Sequence, residues 1–243
     1  MGKIIKLSFT LFTIFPLIVF CQQPDATTKI KLSLGLSFSP DYCYRTLKPD
    51  AGSKWIAEAR DTFEIPTFGY TAGLILNLKI TKRISLETGL LFSDRGERTK
   101  KMTLYPLDTL GQLNSTIPTK ITYFYHYLYL EIPCKINYCL LNRRMKIFIS
   151  GGISPSIFLT QRTKSIAEYF DEHTNTRSTN SNSDFRIFGL SFTGSVGFSY
   201  DLTSKFFLTI EPTYRRSIIS IVDAPIRGYM YSIGLNTGLY YKL

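Results

Sequence analysis

The last fifteen residues of the chain alternate strictly between two kinds of side chain. The odd positions from Tyr229 to Leu243 are apolar or aromatic apart from Thr237, whereas the even positions from Met230 to Lys242 are mostly small or polar. A helix cannot produce a period of two, because its faces recur every ~3.6 residues. The segment is therefore predicted to be a long β-strand with one apolar face and one small, polar face.

The same alternation recurs upstream and predicts eight strands in all. The first seven runs lie at about residues 30–38, 68–80, 84–92, 127–138, 145–159, 188–200 and 206–214. Short connections at 81–83, 141–144 and 201–205 alternate with long ones at about 40–66, 94–120, 160–184 and 216–226. Tight turns at one end and long loops at the other are typical of outer-membrane barrels. The sequence predicts an all-β fold, an eight-stranded antiparallel up-and-down transmembrane β-barrel with short periplasmic turns and long external loops.

The small, polar face indicates which side of the strands meets lipid. Charged residues make up 19% of the chain, below the roughly 25% of soluble domains. A face dominated by Gly, Ser and Thr would make a poor solvated exterior. It suits a narrow lumen, because an eight-stranded barrel is only wide enough for side chains to fill it. The apolar face is therefore predicted to contact lipid, and a soluble barrel with an apolar interior is the less favoured alternative.

The beginning of the chain has the features of an export signal. Two lysines precede the apolar run from Leu7 to Phe20, and the residues before Gln22 suit cleavage there. Residues 1–21 are predicted to be a signal peptide and residues 22–243 a single outer-membrane β-barrel domain. A lipoprotein signal that uses Cys21 is the alternative, although the bulky Phe20 argues against it. The predicted location is the cell outer membrane.

Three short motifs resemble a known family. They are Tyr129–Pro133 (Tyr-Leu-Glu-Ile-Pro) in the fourth predicted strand, Leu86–Leu90 (Leu-Glu-Thr-Gly-Leu) in the third, and Gln22 with Gln23 after the signal. The chain resembles the small outer-membrane β-barrel proteins common in Bacteroidota that are often labelled PorT-like. Some members are linked to type IX secretion, so the resemblance implies an envelope or secretion-complex protein as a candidate partner. No motif in the chain selects that role.

The end of the chain carries an assembly pattern. Asn236, Gly238, Tyr241 and Leu243 form the sequence polar-x-Gly-x-x-aromatic-x-hydrophobic. This pattern is similar to that of terminal strands delivered to the barrel-assembly machinery. The four residues are therefore predicted to be an assembly signal, with that machinery as a partner.

Five charged residues fall on the small, polar face and so in the predicted lumen. They are Glu87, Glu131, Lys135, Glu211 and Arg215. Charges in a narrow lumen must pair, because little water is present to solvate them. The residues are predicted to form a lumen charge network. A buried salt-bridge network that holds a closed barrel is favoured over an ion path or gate.

The chain also has a basic excess, with a formal net charge of +11. For an exported protein, anionic lipid and lipopolysaccharide are the expected partners rather than nucleic acid. Arg95, Arg98, Lys100 and Lys101 cluster just beyond the third strand and are candidates for contact with lipopolysaccharide phosphates. The alternative is an ordinary solvated run of charges.

Catalytic and metal-binding patterns are weak. The chain has only two histidines, His126 and His173, and its cysteines show no disulfide framework or metal-ligand spacing. No metal or cofactor is predicted. The predicted function is that of a non-enzymatic outer-membrane β-barrel protein with a side-chain-filled lumen, acting in envelope structure or through loop-mediated partner binding. The alternatives are a small porin-like transport pore and, less favoured, a lipid-modifying enzyme.

Overall fold

Long β-strands make up most of the computed structural model, which describes residues 31–105, 112, 114, 116–142, 145–181 and 184–243. The predicted signal peptide, residues 1–21, lies outside the described residues. The described strands are β1 (Lys31–Pro49), β2 (Glu64–Lys79), β3 (Ile84–Thr99), β4 (Met102–Thr103), β5 (Lys120–Glu131), β6 (Cys134–Asn142), β7 (Met145–Glu168), β8 (Thr174–Ser181), β9 (Phe188–Asp201), β10 (Phe206–Ser217) and β11 (Ile226–Lys242).

One helix lies between the first two strands. Helix α1 (Lys54–Phe63) follows a short 3-10 turn at Ala51–Ser53. The helix buries Ala57 and leaves Trp55 70% exposed. It ends where Glu64 adopts an extended backbone and begins β2. Among the described residues, no helix has the length and apolar character needed to cross a bilayer.

The strand pairings are antiparallel and return to their starting point. β1 pairs with β2 on one side and β11 on the other, and the order continues from β11 through β10 and β9 to β7. β7 pairs with both β5 and β6, which pair with β3, and β3 pairs with β2. Each of these strands therefore has a neighbour on both sides. The sheet closes, with the first and last strands paired from Ser33 with Lys242 to Pro49 with Ile226.

The mostly β, antiparallel fold is confirmed, but the described residues contain eleven strands instead of eight. The fourth predicted strand is split at Ile132 and Pro133, because proline has no N–H with which to continue the ladder. Its two parts, β5 and β6, nevertheless pair with the same neighbours. β4 and β8 lie in segments predicted to be loops. Within the described residues, β4 pairs only with β5, and β8 pairs only with β7.

The strands also extend further than predicted at the end with the long connections. β1 continues to Pro49 and β3 to Thr99, although the sequence pattern indicated loops from about residues 40 and 94. Antiparallel pairing supplies the reason, because β1 remains bonded to β11 over this whole stretch. β7 reaches 24 residues, which is about 80 Å of extended chain.

Burial alternates along the strands as the sequence predicts. In β11, Met230 is 1% and Tyr240 2% exposed, whereas Ile233 is 60% exposed. The outward side carries exposed large apolar or aromatic residues on β1, β2, β3, β6, β7, β9, β10 and β11. Small residues make room for large inward ones: a Cβ at Gly35 would lie only 2.7 Å from the ring of Tyr240.

Candidate functional site

Among the described residues, ten buried charged side chains, six carboxylates and four cations, lie in the interior of the closed sheet. They are Asp41, Arg45, Glu64, Glu87, Arg95, Glu97, Glu131, Lys135, Glu211 and Arg215. All lie on inward positions of the strands. Because the interior offers these groups little bulk water, their partners within the protein decide whether they are stable.

The layer nearest the short connections is built around Lys135. Its ammonium lies 2.9 Å from Glu87 on β3 and 3.1 Å from Glu211 on β10. Asn137 and Tyr240 each donate a hydrogen bond of 3.3 Å to Glu87. One lysine thus joins two carboxylates that project from opposite sides of the closed sheet.

Small polar side chains complete the coordination of Glu211. The hydroxyl groups of Ser150 and Ser195 donate hydrogen bonds of 2.6 and 2.5 Å to it, and the Asn236 amide donates one of 3.1 Å. The carboxylate therefore has four donors when Lys135 is included. Such saturation is what a buried charge requires.

Two separate ion pairs form the middle layer. Arg215 donates to Asp41 at 2.8 Å, and Ser39 and Thr71 add hydrogen bonds of 2.7 and 2.6 Å to the same carboxylate. Gly234 faces this pair, and a Cβ there would overlap the Asp41 carboxylate.

The second pair of the middle layer joins neighbouring strands. Arg95 on β3 lies 2.8 Å from Glu131 on β5. Ser93 donates a further hydrogen bond of 2.6 Å to Glu131. Both charged side chains are buried, so the pair fixes β3 against β5 from inside.

The layer nearest the long connections ties helix α1 to the interior. The Arg45 guanidinium contacts Glu64 closely and Asp61 of α1 at 2.8 Å. Arg60 of α1 lies 2.8 Å from Glu64 and 3.8 Å from the fully buried Glu97. Burial lowers the pKa of Arg60, but its hydrogen bond with Glu64 and the nearby negative charge outweigh that effect, so the net direction is upward. Arg60 therefore stays cationic and holds the helix at this end.

Aromatic side chains fill the space beneath α1. Tyr127 donates a hydrogen bond of 2.8 Å to Glu97, and its ring packs with Tyr129 and Phe158 in one buried cluster. Met230 completes this cluster from the other side of the interior. Tyr127 and Tyr129 therefore occupy inward positions of β5 and act there as packing groups.

The five residues predicted as one lumen charge network are all inside but divide into separate groups. Lys135 joins Glu87 and Glu211, whereas Glu131 and Arg215 pair with residues outside the predicted set. Sequence reasoning missed Asp41, Arg45, Glu64 and Glu97, because they lie in segments predicted to be loops. In β1 and β3 the inward residues stay at odd-numbered positions beyond residues 40 and 94. Extending that alternation could have found Asp41, Arg45 and Glu97.

The predicted lipopolysaccharide contact requires a correction at Arg95. This side chain is 4% exposed and paired inside the closed sheet, so it cannot contact an external lipid. Arg98, Lys100 and Lys101 are exposed, and Lys101 pairs with Glu168 at 2.6 Å. The prediction failed because it treated residues 94–101 as a loop, whereas β3 continues through Thr99 with alternating faces.

The two histidines have carboxylate neighbours. The Nδ1 atom of His126 lies 2.8 Å from Asp94 on the outward face. His173 contacts Asp171 and stacks on Tyr169 with ring centroids 4.2 Å apart. Neither lies in the charged interior. Among the described residues, no group of three or more His, Cys, Asp or Glu side chains could hold a metal ion.

The predicted assembly residues occupy both faces of the last strand. Asn236 and Gly238 face the interior, where Asn236 also accepts a hydrogen bond of 2.8 Å from Ser37. Tyr241 packs its ring against Phe206, and Leu243 is 70% exposed. The assembly role itself stays a prediction.

Comparison with known proteins identifies the family. The family model described as outer membrane protein beta-barrel domain matches residues 20–223. The chain belongs to this family, and its location is the outer membrane, as the sequence predicted. Membership of the PorT-like group and a source in Bacteroidota stay predictions. Among curated proteins, none matches the chain.

Several solved outer-membrane proteins show a weak structural similarity to this chain. Neisserial surface protein A shares 10% identity, with a TM-score of 0.45 and coverage of 89% of this chain and 100% of its own. The outer membrane protease OmpT from Escherichia coli shares 9% identity, with a TM-score of 0.43 and coverage of 90% and 99%. OprG from Pseudomonas aeruginosa shares 13% identity, with a TM-score of 0.38 and coverage of 88% and 95%. Similarity at this level supports no conclusion about activity.

Replacing Lys135 tests the coordination of the layer nearest the short connections. We expect Lys135→Met to lower the free energy of unfolding by about 3–5 kcal/mol, because two carboxylates stay buried without their counter-charge. Adding Glu87→Gln and Glu211→Gln should restore most of that loss, since no buried charge is then left unpaired. Equilibrium denaturant unfolding in lipid vesicles measures these differences.

The control for this experiment is Lys100→Met, which removes an exposed lysine outside the interior. It should change the free energy of unfolding by no more than about 0.5 kcal/mol. Equal losses in the single and triple variants would contradict the assignment of Lys135 as a shared counter-charge.

Proposed function

We propose that the protein is a non-enzymatic outer-membrane β-barrel whose lumen is closed by its own side chains, and that it acts in envelope structure or through partners of its external end. The observation that carries the proposal is the position of Lys135 between Glu87 and Glu211. β3 and β10 lie on opposite sides of the closed sheet. The ion pairs therefore cross the lumen instead of lining it.

The count of spanning strands supports this proposal. β5 and β6 are consecutive in the chain and both pair with β3 and β7, so together they form one spanning strand. With this pair counted once, the closed sheet of the described residues has eight spanning strands. An eight-stranded barrel has an interior that side chains can fill completely. Outward apolar residues then face the hydrocarbon, and the long strands extend beyond an apolar band of ~25 Å.

The cavities support a closed lumen as well. A cavity of about 780 Å³ opens at the short-turn end and reaches as far as Glu87 and Asn137. A second cavity of about 20 Å³ lies toward the long connections, beside Arg95 and Tyr129. The two share no lining residue. The Lys135 layer stands between them, and Tyr129 and Met230 of the buried aromatic cluster line the second cavity.

Conductance in planar bilayers separates the closed barrel from the transport pore. We expect the purified, folded protein to insert without giving a stable open current, because three side-chain layers obstruct the lumen. Insertion is verified in the same preparation by protease protection of the spanning strands. A steady single-channel current from the unmodified protein would favour the pore instead.

We also propose that lipopolysaccharide contacts a basic face that keeps Arg98 from the set predicted from sequence and adds two residues of β7. Strand register places Arg98 of β3 beside Phe124 of β5, and Phe124 beside Lys164 of β7. Arg162 lies two residues away on the same outward face, and all three basic side chains are exposed. Arg98 and Lys164 lie about 10 Å apart at their Cα atoms, since strands are spaced by ~4.8 Å. Within the described part of the chain, none of the three forms an ion pair.

Charge removal tests this external basic face, defined as Arg98, Arg162 and Lys164. We expect the triple replacement by Gln to weaken binding to vesicles that contain lipopolysaccharide, with the difference shrinking at high salt because the contacts are electrostatic. Co-sedimentation with the vesicles measures binding. The matched control, Lys31→Gln with Lys79→Gln and Arg83→Gln, removes the same charge at the opposite end. Equal weakening by both triple variants would contradict a specific external site.

A further inference from the structure

The cavity at the short-turn end, here called the vestibule, has the size of a ligand site. Its volume is about 780 Å³, within the ~300–1,000 Å³ typical of small-molecule pockets. The turns after β2 and β9 and both ends of the described chain form its rim, where Lys31, Arg83, Lys205 and Leu243 lie. Its inner end is formed by Glu87 and Asn137, next to the Lys135 layer. The vestibule is therefore a blind pocket with a single mouth.

Cationic side chains dominate the lining of the vestibule. Seven of its lining residues are basic: Lys31, Lys79, Lys82, Arg83, Lys146, Lys205 and Lys242. Among the described lining residues, Glu87 is the one acidic side chain, and Lys135 already neutralises it at 2.9 Å. The vestibule thus carries a positive field that its own carboxylate does not cancel. Enclosing walls of lower dielectric strengthen such a field.

Within the described residues, two of these cations have a carboxylate partner. Asp201 receives Lys146 at 2.7 Å and Lys242 at 2.6 Å. In the described structure, Lys31, Lys79, Lys82, Arg83 and Lys205 form no ion pair. Like charges gathered at one mouth repel one another. An anionic ligand would relieve that repulsion.

The remaining wall provides hydrogen-bonding groups and limited apolar surface. Asn77, Ser85 and Asn137 line the inner part, and Phe148 and Phe207 line the side. Six of the seven basic residues are lysines, which bind phosphate as point charges. Arginine, whose fork suits planar carboxylates, appears once.

We propose that the vestibule binds a compact phosphorylated solute through its lysine-rich mouth. The phosphoryl groups would lie among Lys31, Lys79 and Arg83, which are free of ion pairs within the described residues. Asn77 and Ser85 would supply hydrogen bonds deeper in the pocket. The site opens toward the short-turn end, which faces the periplasm in barrels of this class. It is independent of whether the lumen conducts.

Cys139 provides a reporter inside the vestibule. This residue lines the cavity and is part-exposed, whereas Cys43 is buried and Cys134 faces outward. In a Cys134→Ser background, inorganic pyrophosphate should slow the reaction of Cys139 with a water-soluble maleimide. We expect saturable protection of the full mature chain in detergent micelles, with citrate at equal ionic strength protecting less.

Two charge-matched variants locate the effect. Lys31→Gln, Lys79→Gln and Arg83→Gln together should weaken half-maximal protection by pyrophosphate about tenfold or more, because three favourable charge contacts are lost. The triple replacement of the external basic face by Gln should leave protection unchanged. An unaltered heat-dependent gel shift shows that each variant is folded.

Three results would overturn the proposal. The first is that pyrophosphate gives no saturable protection of Cys139 in the Cys134→Ser protein whose vestibule lining is otherwise unchanged. The second is equal weakening by the vestibule and external triple variants, which would indicate a general effect of net charge. The third is protection by citrate as strong as that by pyrophosphate, which would remove the assignment to phosphate. Bilayer conductance does not enter any of these readouts, so failure here is distinguishable from failure of the closed-barrel proposal.

Discussion

Charges buried in a narrow lumen must find their partners there, and the rest of the architecture follows from that constraint. In the part of the chain that the structure describes, ten charged side chains share the interior with the Gly, Ser and Thr residues that the inward face requires. Ser150 and Ser195 donate to Glu211, and Gly234 leaves space for Asp41. Because these small residues occupy the inside, the large apolar residues are on the outside. A surface of that kind is stable in lipid and not in water.

The two ends of the barrel differ in ways that suit different surroundings. At the long-loop end, Arg45 and Arg60 connect α1 to buried carboxylates, and tyrosine rings fill the space below. At the short-turn end the interior stays open as the vestibule and is lined by lysines. The ion-paired layer around Lys135 lies between the two. We therefore expect the protein to present independent surfaces to the two sides of the membrane, and not to connect them.

The sequence predicted what depends on local alternation and failed where long-range register decides. The inward positions of Glu87, Lys135 and Glu211 follow from the alternation of apolar and polar side chains along their own strands. Their grouping does not, because the offset between distant strands determines that Arg215 meets Asp41 and that Glu131 meets Arg95. Arg95 was assigned to a loop since charged residues ended the recognisable alternation. The basic face that includes Lys164 is likewise formed by pairing between strands far apart in sequence.

Quenching of tryptophan fluorescence by brominated lipids tests the orientation of the two faces most directly. The chain has a single tryptophan, Trp55, which lies exposed in α1. A second protein carrying Trp55→Phe and Leu239→Trp places the only indole on the outward face of β11. Lipids brominated near the bilayer centre should quench the fluorescence strongly at position 239 and leave that of the unmodified protein nearly unchanged. Unquenched, solvent-like emission from position 239 would contradict a lipid-facing exterior and with it the closed, charge-filled barrel.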